Sequence, residues 1–221
     1  MSTLPNVHVL PDSAWLSHLH LRMRNRSANL NTFTHHANQV IRLLLQSAAQ
    51  HLPYFDETVT TPIGDPFTGK TLVRDVCGVS VIRAGESMES EFRAMFPHQP
   101  IGKILIQRDK ESKLPHYLYS HLPAGIAGMS VMLFEPMLAT GGSLLKAIDI
   151  LKESGVAIEN MIVVNVLASP AGIQRLVETW PDLTIITSSI EKGMTDSAFM
   201  RPGIGDFGDR YFGTYPGVHH E

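Results

Sequence analysis

A carboxylate, a proline and a turn almost without side chains follow one another in SVMLFEPMLATGGSLLKAIDILKESG, residues 130–155. The apolar or small run SVMLF leads to Glu135, and Thr140, Gly141, Gly142 and Ser143 then open a helix-like segment. A buried strand tip is a costly place for a charge unless something meets it. In an open parallel sheet, ligands bind beyond the carboxyl ends of the strands, where a carboxylate can accept hydrogen bonds from sugar hydroxyls. The turn at 140–143 offers backbone N–H groups at a helix start, whose partial positive charge suits a phosphate. Its glycines let phosphate oxygens approach the main chain. The plainer alternative is a tight β-to-α connection capped by Ser143. That explains the turn but not the acid; a ribose-phosphate site explains both.

Such a turn needs a sheet behind it. From about residue 78 the short apolar runs GVSVI, KILIQ, SVMLF, MIVVNVLA and LTIITS recur, with the helix-like SLLKAIDILKES and PAGIQRLVETW between the later ones. Gly155 and Pro181 are stop signals for those two helices. Continuous apolar runs alternating with helices predict an α/β fold whose mostly parallel sheet is covered on both faces. Upstream, Phe33, Ala37, Val40, Ile41, Leu44, Leu45, Ala48 and Leu52 form one helical stripe. The expected division is one domain: a helical section over 12–52, a protruding β-hairpin over 58–73, an α/β core over 78–190 and a glycine-rich loop over 198–214. No internal repeat or low-complexity linker divides it further.

Composition narrows the class. The 221 residues carry a formal charge of −3, which argues against a general affinity for nucleic acid or an anionic membrane. Cys77 is the single cysteine, so no internal disulfide can form, which fits a reducing compartment. No apolar run approaches the ~20 residues of a membrane span, and the N-terminus lacks a signal-peptide pattern. The expectation is a soluble, cytoplasmic protein.

Three motif matches fail on context. GDPFTGKT, residues 64–71, fits GxxxxGK[ST], but the β-branched LVRDVCGVSVI follows where a helix is required. GIGDFG, residues 203–208, fits GxGxxG without the surrounding βαβ unit, and its DFG lacks every companion motif. The pairs His35–His36 and His219–His220 point about 100° apart on a helix and make poor joint ligands.

Five segments together carry a resemblance. FEPMLATGGS at 134–143 resembles the ribose-phosphate loop of phosphoribosyltransferases, and its EPMLATGGS is similar to the uracil phosphoribosyltransferase version. SVIRAGESME at 80–89, GKILIQRD at 102–109, LASPAGI at 167–173 and PGIGDFGDRYFGT at 202–214 match the same family in the same order. HLPYFDETVTTPIG and the preceding helix fit as well, so the likeness runs from about residue 6 to 214, closest to the eukaryotic branch. It implies a type I phosphoribosyltransferase-like fold. The implied reaction is uracil plus phosphoribosyl pyrophosphate (PRPP) giving UMP plus diphosphate, with Mg2+ carried on PRPP. Most members of the family have Asp where this chain has Glu135; the charge is kept, and one added methylene moves the carboxylate by roughly 1.5 Å.

The resemblance also implies roles. Glu135, Pro136, Met137, Leu138, Ala139, Thr140, Gly141, Gly142 and Ser143 would bind PRPP. Bond breaking at the sugar C1 has oxocarbenium-like character, so the leaving pyrophosphate needs neutralising. Arg83 and Arg108 each follow a strand-like run and supply guanidinium forks for that; taken singly, each also reads as a surface ion pair. Lys103, at the start of its run, is a weaker candidate, and Asp109 an orienting partner. Met200, Gly205 and Phe207 would contact uracil mainly through the backbone. Asp206 stands where PRPP and base meet, ordering water or accepting the N1 proton. The hairpin corresponds to an arm over the substrate or a neighbouring subunit, in a homo-oligomer (dimer or tetramer). Some relatives respond to GTP at a basic interface; Arg22, Arg24 and Arg26 are candidates for that, or form a solvated helix face. The competing readings are a phosphoribosyltransferase for another base and a non-catalytic regulator on the same fold.

Overall fold

The computed structural model describes residues 5–108, 115–195 and 199–214; the side chains of Arg108 and Pro115 are outside that description. Its centre is a sheet in the order β1-β10-β9-β7-β4-β5-β6, with the short β8 added beside β9. The strands are β1 (Val7–Val9), β4 (Val76–Ile82), β5 (Ile101–Arg108), β6 (Pro115–His121), β7 (Ser130–Phe134), β8 (Met137–Leu138), β9 (Met161–Ala168) and β10 (Thr184–Ile190). Every pairing is parallel except that of β5 with β6.

The apolar runs are continuous because both faces of the sheet are covered. In β7, Met132 and Phe134 face one core cluster while Val131 and Leu133 face the other. This is the two-residue alternation of a pleated strand, with oil on both sides. The first cluster takes most of its helical share from α1 (Ala14–Arg24) and α2 (Leu30–Ala49), and the second from α4 (Gly142–Glu153) and α5 (Pro170–Thr179). The remaining helices, α3 (Glu89–Met95) and α6 (Phe207–Phe212), are short.

The N-terminal section expected to be helical over 12–52 is two helices, because Ser13 caps α1 and Asn29 caps α2, accepting from the Thr32 N–H at 2.9 Å. Polar residues between the helices complete the break. The hairpin starts earlier than residue 58, pairing β2 (Tyr54–Thr60) with β3 (Pro66–Leu72), Tyr54 opposite Leu72. The GDPFTGKT stretch runs through this hairpin, and Lys70 there pairs with Asp56 across the strands at 2.7 Å. A second small ribbon pairs β11 (Gly193–Met194) with β12 (Met200–Arg201). Among the described residues no helix is long and apolar enough to cross a membrane.

Candidate active site

β7 ends at Phe134, and Glu135 follows it directly at the carboxyl edge of the sheet. Its backbone is fixed by two bonds: its N–H donates to Val164 O at 3.3 Å, and its carbonyl accepts from Asn165 Nδ2 at 2.9 Å. Asn165 is fully buried, accepts from Thr187 Oγ1 at 2.8 Å, and is the lone amide in the apolar run of β9. That single polar residue was the signal by which sequence reasoning could have found it.

Beyond Glu135 the chain stays extended, so its side chains alternate. Glu135, Met137 and Ala139 line a cavity of about 350 Å³. Pro136 and Leu138 point the other way: both are buried, and Leu138 belongs to the core packed by α4 and α5. Within 135–143, Pro136 and Leu138 are therefore packing residues by side chain.

The turn then opens α4. Gly141 is its N-cap, at φ +77°, and makes no side-chain capping bond. Ser143 lies one residue inside the helix rather than at the cap, so the plain capped-connection reading loses its capping residue. The turn is held from behind by α5: Ser169 Oγ donates to Ala139 O at 2.5 Å, Ser169 N to Leu138 O at 2.8 Å, and Arg175 Nη1 to Thr140 O at 3.2 Å.

The opposite wall is the glycine-rich segment. Met200, Ile204, Gly205, Asp206 and Gly208 line the same cavity, with Phe199 exposed at its rim. Phe207 also borders it, but its ring is 1% exposed and packs edge-on against Phe33 at 5.4 Å. Only its backbone is left to a ligand. Asp206 caps α6, its Oδ1 accepting from Asp209 N at 2.8 Å.

Arg83 and Arg108 reach one edge of the sheet. β4 and β5 run parallel with Ile82 opposite Leu105, so both arginines follow at the carboxyl ends. The Arg83 guanidinium is fixed by α6 and the chain just past it: Nη2 donates to Asp209 Oδ1 at 2.5 Å and Nη1 to Thr214 Oγ1 at 2.9 Å. The Thr214 hydroxyl and the Arg83 guanidinium in turn hold Asp209 below its usual carboxylate range. Sequence reasoning missed Asp209, whose partner is 126 positions away. Asp109 lies outside the described residues, as does residue 198 at the start of the loop. Lys103 is inside β5 opposite Ser80, and its ammonium is taken by Glu86 at 2.5 Å and Glu89 at 3.4 Å. Among the described residues no three His, Cys, Asp or Glu side chains converge as a metal site.

Of the three N-terminal arginines, Arg22 and Arg26 are exposed, but Arg24 is not on a solvated face. It forms a two-pronged ion pair with the buried Glu191, at 2.6 and 3.0 Å. Burial pushes the Glu191 carboxyl up, and the bonds from Arg24 and from the Gly203 N–H outweigh this and bring it below its usual value.

The sequence model of the family described as "Uracil phosphoribosyltransferase" matches residues 9–214. The chain belongs to the uracil phosphoribosyltransferase family. The chain is 43% identical to a uracil phosphoribosyltransferase of Dictyostelium discoideum over 214 residues, 97% of this chain and 99% of the relative. It is 39% identical to the uracil phosphoribosyltransferase of Saccharomyces cerevisiae, covering 96% and 99%. Among solved structures, a protein of Aquifex aeolicus superposes with a TM-score of 0.83 at 26% identity, covering 95% of this chain and 99% of that one. Both uracil phosphoribosyltransferases are matched over nearly their full length, and an adenine phosphoribosyltransferase of Trypanosoma brucei shares the fold at a TM-score of 0.57 and 13% identity, over 90% of this chain and 89% of that one.

Proposed function

We propose that the protein transfers the phosphoribosyl group of PRPP to N1 of uracil, giving UMP and diphosphate. The observation that carries this reading is the shared cavity. It sets Glu135, Met137 and Ala139 of the strand end against the glycine-rich segment 200–208, and the α4 turn follows directly in the chain after Ala139, outside the cavity lining.

In this reading the 5′-phosphate meets the amides of Thr140, Gly141, Gly142 and Ser143, where the α4 N-terminus favours an anion. Glu135 accepts hydrogen bonds from the ribose hydroxyls. Met200, Gly205 and Phe207 offer main-chain groups to uracil, whose N–H flanked by two carbonyls suits such partners. The C1–oxygen bond to pyrophosphate breaks as N1 bonds to C1, and the N1 proton leaves. Asp206 has Oδ1 committed to its cap, which leaves Oδ2 to order water or take that proton. Arg83, prepositioned on α6, and Arg108 neutralise the departing pyrophosphate.

Mg2+ fits this site as a companion of the substrate. It typically uses one or two carboxylates plus phosphate oxygens, and Glu135 and Asp206 are the two carboxylates lining the cavity. Bound there, it would neutralise charge on the pyrophosphate.

The protein works in this reading as a cytoplasmic homo-oligomer, a dimer or tetramer. The hairpin supports a second copy as partner, because it exposes Phe55, Val59, Ile63 and Phe67 on an arm that leaves the core. GTP as an effector would meet the exposed Arg22 and Arg26, since Arg24 is committed to Glu191.

The test is turnover with competing bases. Uracil is expected to exceed cytosine by about 10⁴-fold in kcat/KM, because the cytosine amine reverses one hydrogen-bond partner. Comparable turnover of cytosine or orotate would remove the uracil assignment.

A further inference from the structure

We infer that Arg24 and Glu191 are positioning residues for the base site. Their ion pair holds both polar groups of the Gly203 backbone and thereby sets the shape of the segment that meets uracil. The inference rests on reading 200–206 as the base-contacting segment.

Glu191 follows β10 and is tied to the sheet through its N–H, which donates to Ala168 O at 2.8 Å. Its side chain is 1% exposed. One oxygen, Oε2, accepts from Gly203 N at 2.6 Å as well as from Arg24 Nη1 at 3.0 Å. The same Nη1 donates to Gly203 O at 3.0 Å. One pair of side chains therefore satisfies the donor and the acceptor of a single residue.

Gly203 needs that help. Its φ is +69°, and a Cβ there would lie 2.1 Å from Met200 O, so the chain doubles back on itself. A residue so turned cannot use a strand ladder for its N–H and C=O, and buried backbone groups must find partners. Next along, Ile204 O is taken by Arg210 Nη1 at 2.8 Å, whose guanidinium also donates to Met23 O and Asn25 O at 2.8 Å. The end of α1 thus grips two consecutive residues from behind. Gly205 is left as the next backbone unit, bordering the cavity.

A buried ion pair contributes little net stability over an apolar pair of the same volume. What it adds here is direction: a two-pronged charge-assisted fork fixes orientation as well as distance. The lysine of Arg24→Lys keeps the charge and loses the fork.

The test compares Glu191→Gln, Arg24→Lys and the double variant Arg24→Met/Glu191→Leu, which strands no charge. In the first and third, KM for uracil is expected to rise ~10-fold or more, the scale of losing one charge-assisted bond. KM for PRPP is expected to stay within about 3-fold, because its loop is held by α5 instead. Arg24→Lys is expected to fall between wild type and Glu191→Gln. The ratio of the two KM values does not depend on how much protein is folded, so general destabilisation leaves it unchanged. Parallel shifts in both, or no shift, would overturn the inference. Amide exchange of the unliganded protein gives a reading without turnover. Peptides over 199–208 are expected to exchange ~10-fold faster in Glu191→Gln while those over 142–153 stay unchanged; unchanged exchange over 199–208 also overturns it. A wild-type protein that makes no UMP refutes the functional reading instead, and the exchange comparison still decides the clamp.

Discussion

Gly172→Ala probes how the phosphate turn is held. Gly172 lies in the first turn of α5, and a Cβ there would meet Ala139 O at 2.6 Å and Leu138 O at 2.9 Å. Both are backbone atoms just before the turn at 140–143, and Ser169 and Arg175 fasten that same chain to α5. Neither can rotate away. To restore even a 3.0 Å contact, Ala139 O must retreat by about 0.4 Å, close to the ~0.5 Å within which a functional site must be held. Misplacement by 1 Å costs about 10²-fold, so roughly 5- to 10-fold is expected in KM for PRPP. Overpacking of this kind costs about 1–3 kcal/mol, or a Tm lower by roughly 2–12 °C in a domain of this size. Steady-state kinetics with each substrate varied in turn, plus a thermal melt, give both numbers. A lowered Tm with KM for PRPP unchanged would show that the α5 contact does not shape the phosphate turn. Wild-type values of both would refute the packing argument itself.

Further outcomes follow from other residues. Asp206→Asn is expected to lower kcat on the order of 10²-fold if Asp206 manages a proton, and unchanged kcat in a saturated assay removes that role. Glu135→Gln is expected to raise KM for PRPP about 10- to 100-fold, the worth of charge-assisted bonds to the ribose hydroxyls, with KM for uracil moving much less. His20 predicts a pH effect: burial chiefly, with Arg24 adding and Glu191 opposing, pushes its imidazole down to about 4. The unfolded chain then binds a proton that the folded chain refuses, so stability is complete above about pH 6.5 and declines toward pH 4. Discounted for partial exposure, the loss is about 2 kcal/mol. His20→Asn is expected to flatten the Tm profile over that interval, and an unchanged slope would show that another group titrates.

Much of this architecture was legible because the signals were local. The apolar runs that became β4, β5, β7, β9 and β10 mark the strands of the parallel sheet, and the stops at Gly155 and Pro181 sit where α4 and α5 end. Glu135 and the glycine turn could be read as a strand end and a helix start. The sequence did not reveal which neighbours matter in space. Arg24 meets Glu191 across 167 positions and Arg83 meets Asp209 across 126, and no periodicity encodes either pair. The break between α1 and α2 was written in the NRSAN stretch and its capping Asn29, but the apolar stripe of α2 dominated it. In 135–139 the residue types gave no warning that Pro136 and Leu138 face the core, because alternation depends on the extended backbone that β8 imposes beside β9.

The most direct measurement is a crystal structure with UMP bound. Its phosphate is expected on the amides of Thr140 to Ser143, its ribose hydroxyls on Glu135 and its base edge on the main chain at Met200 and Gly205. Density for the nucleotide outside this cavity, with the α4 turn left without a phosphate, would contradict this placement.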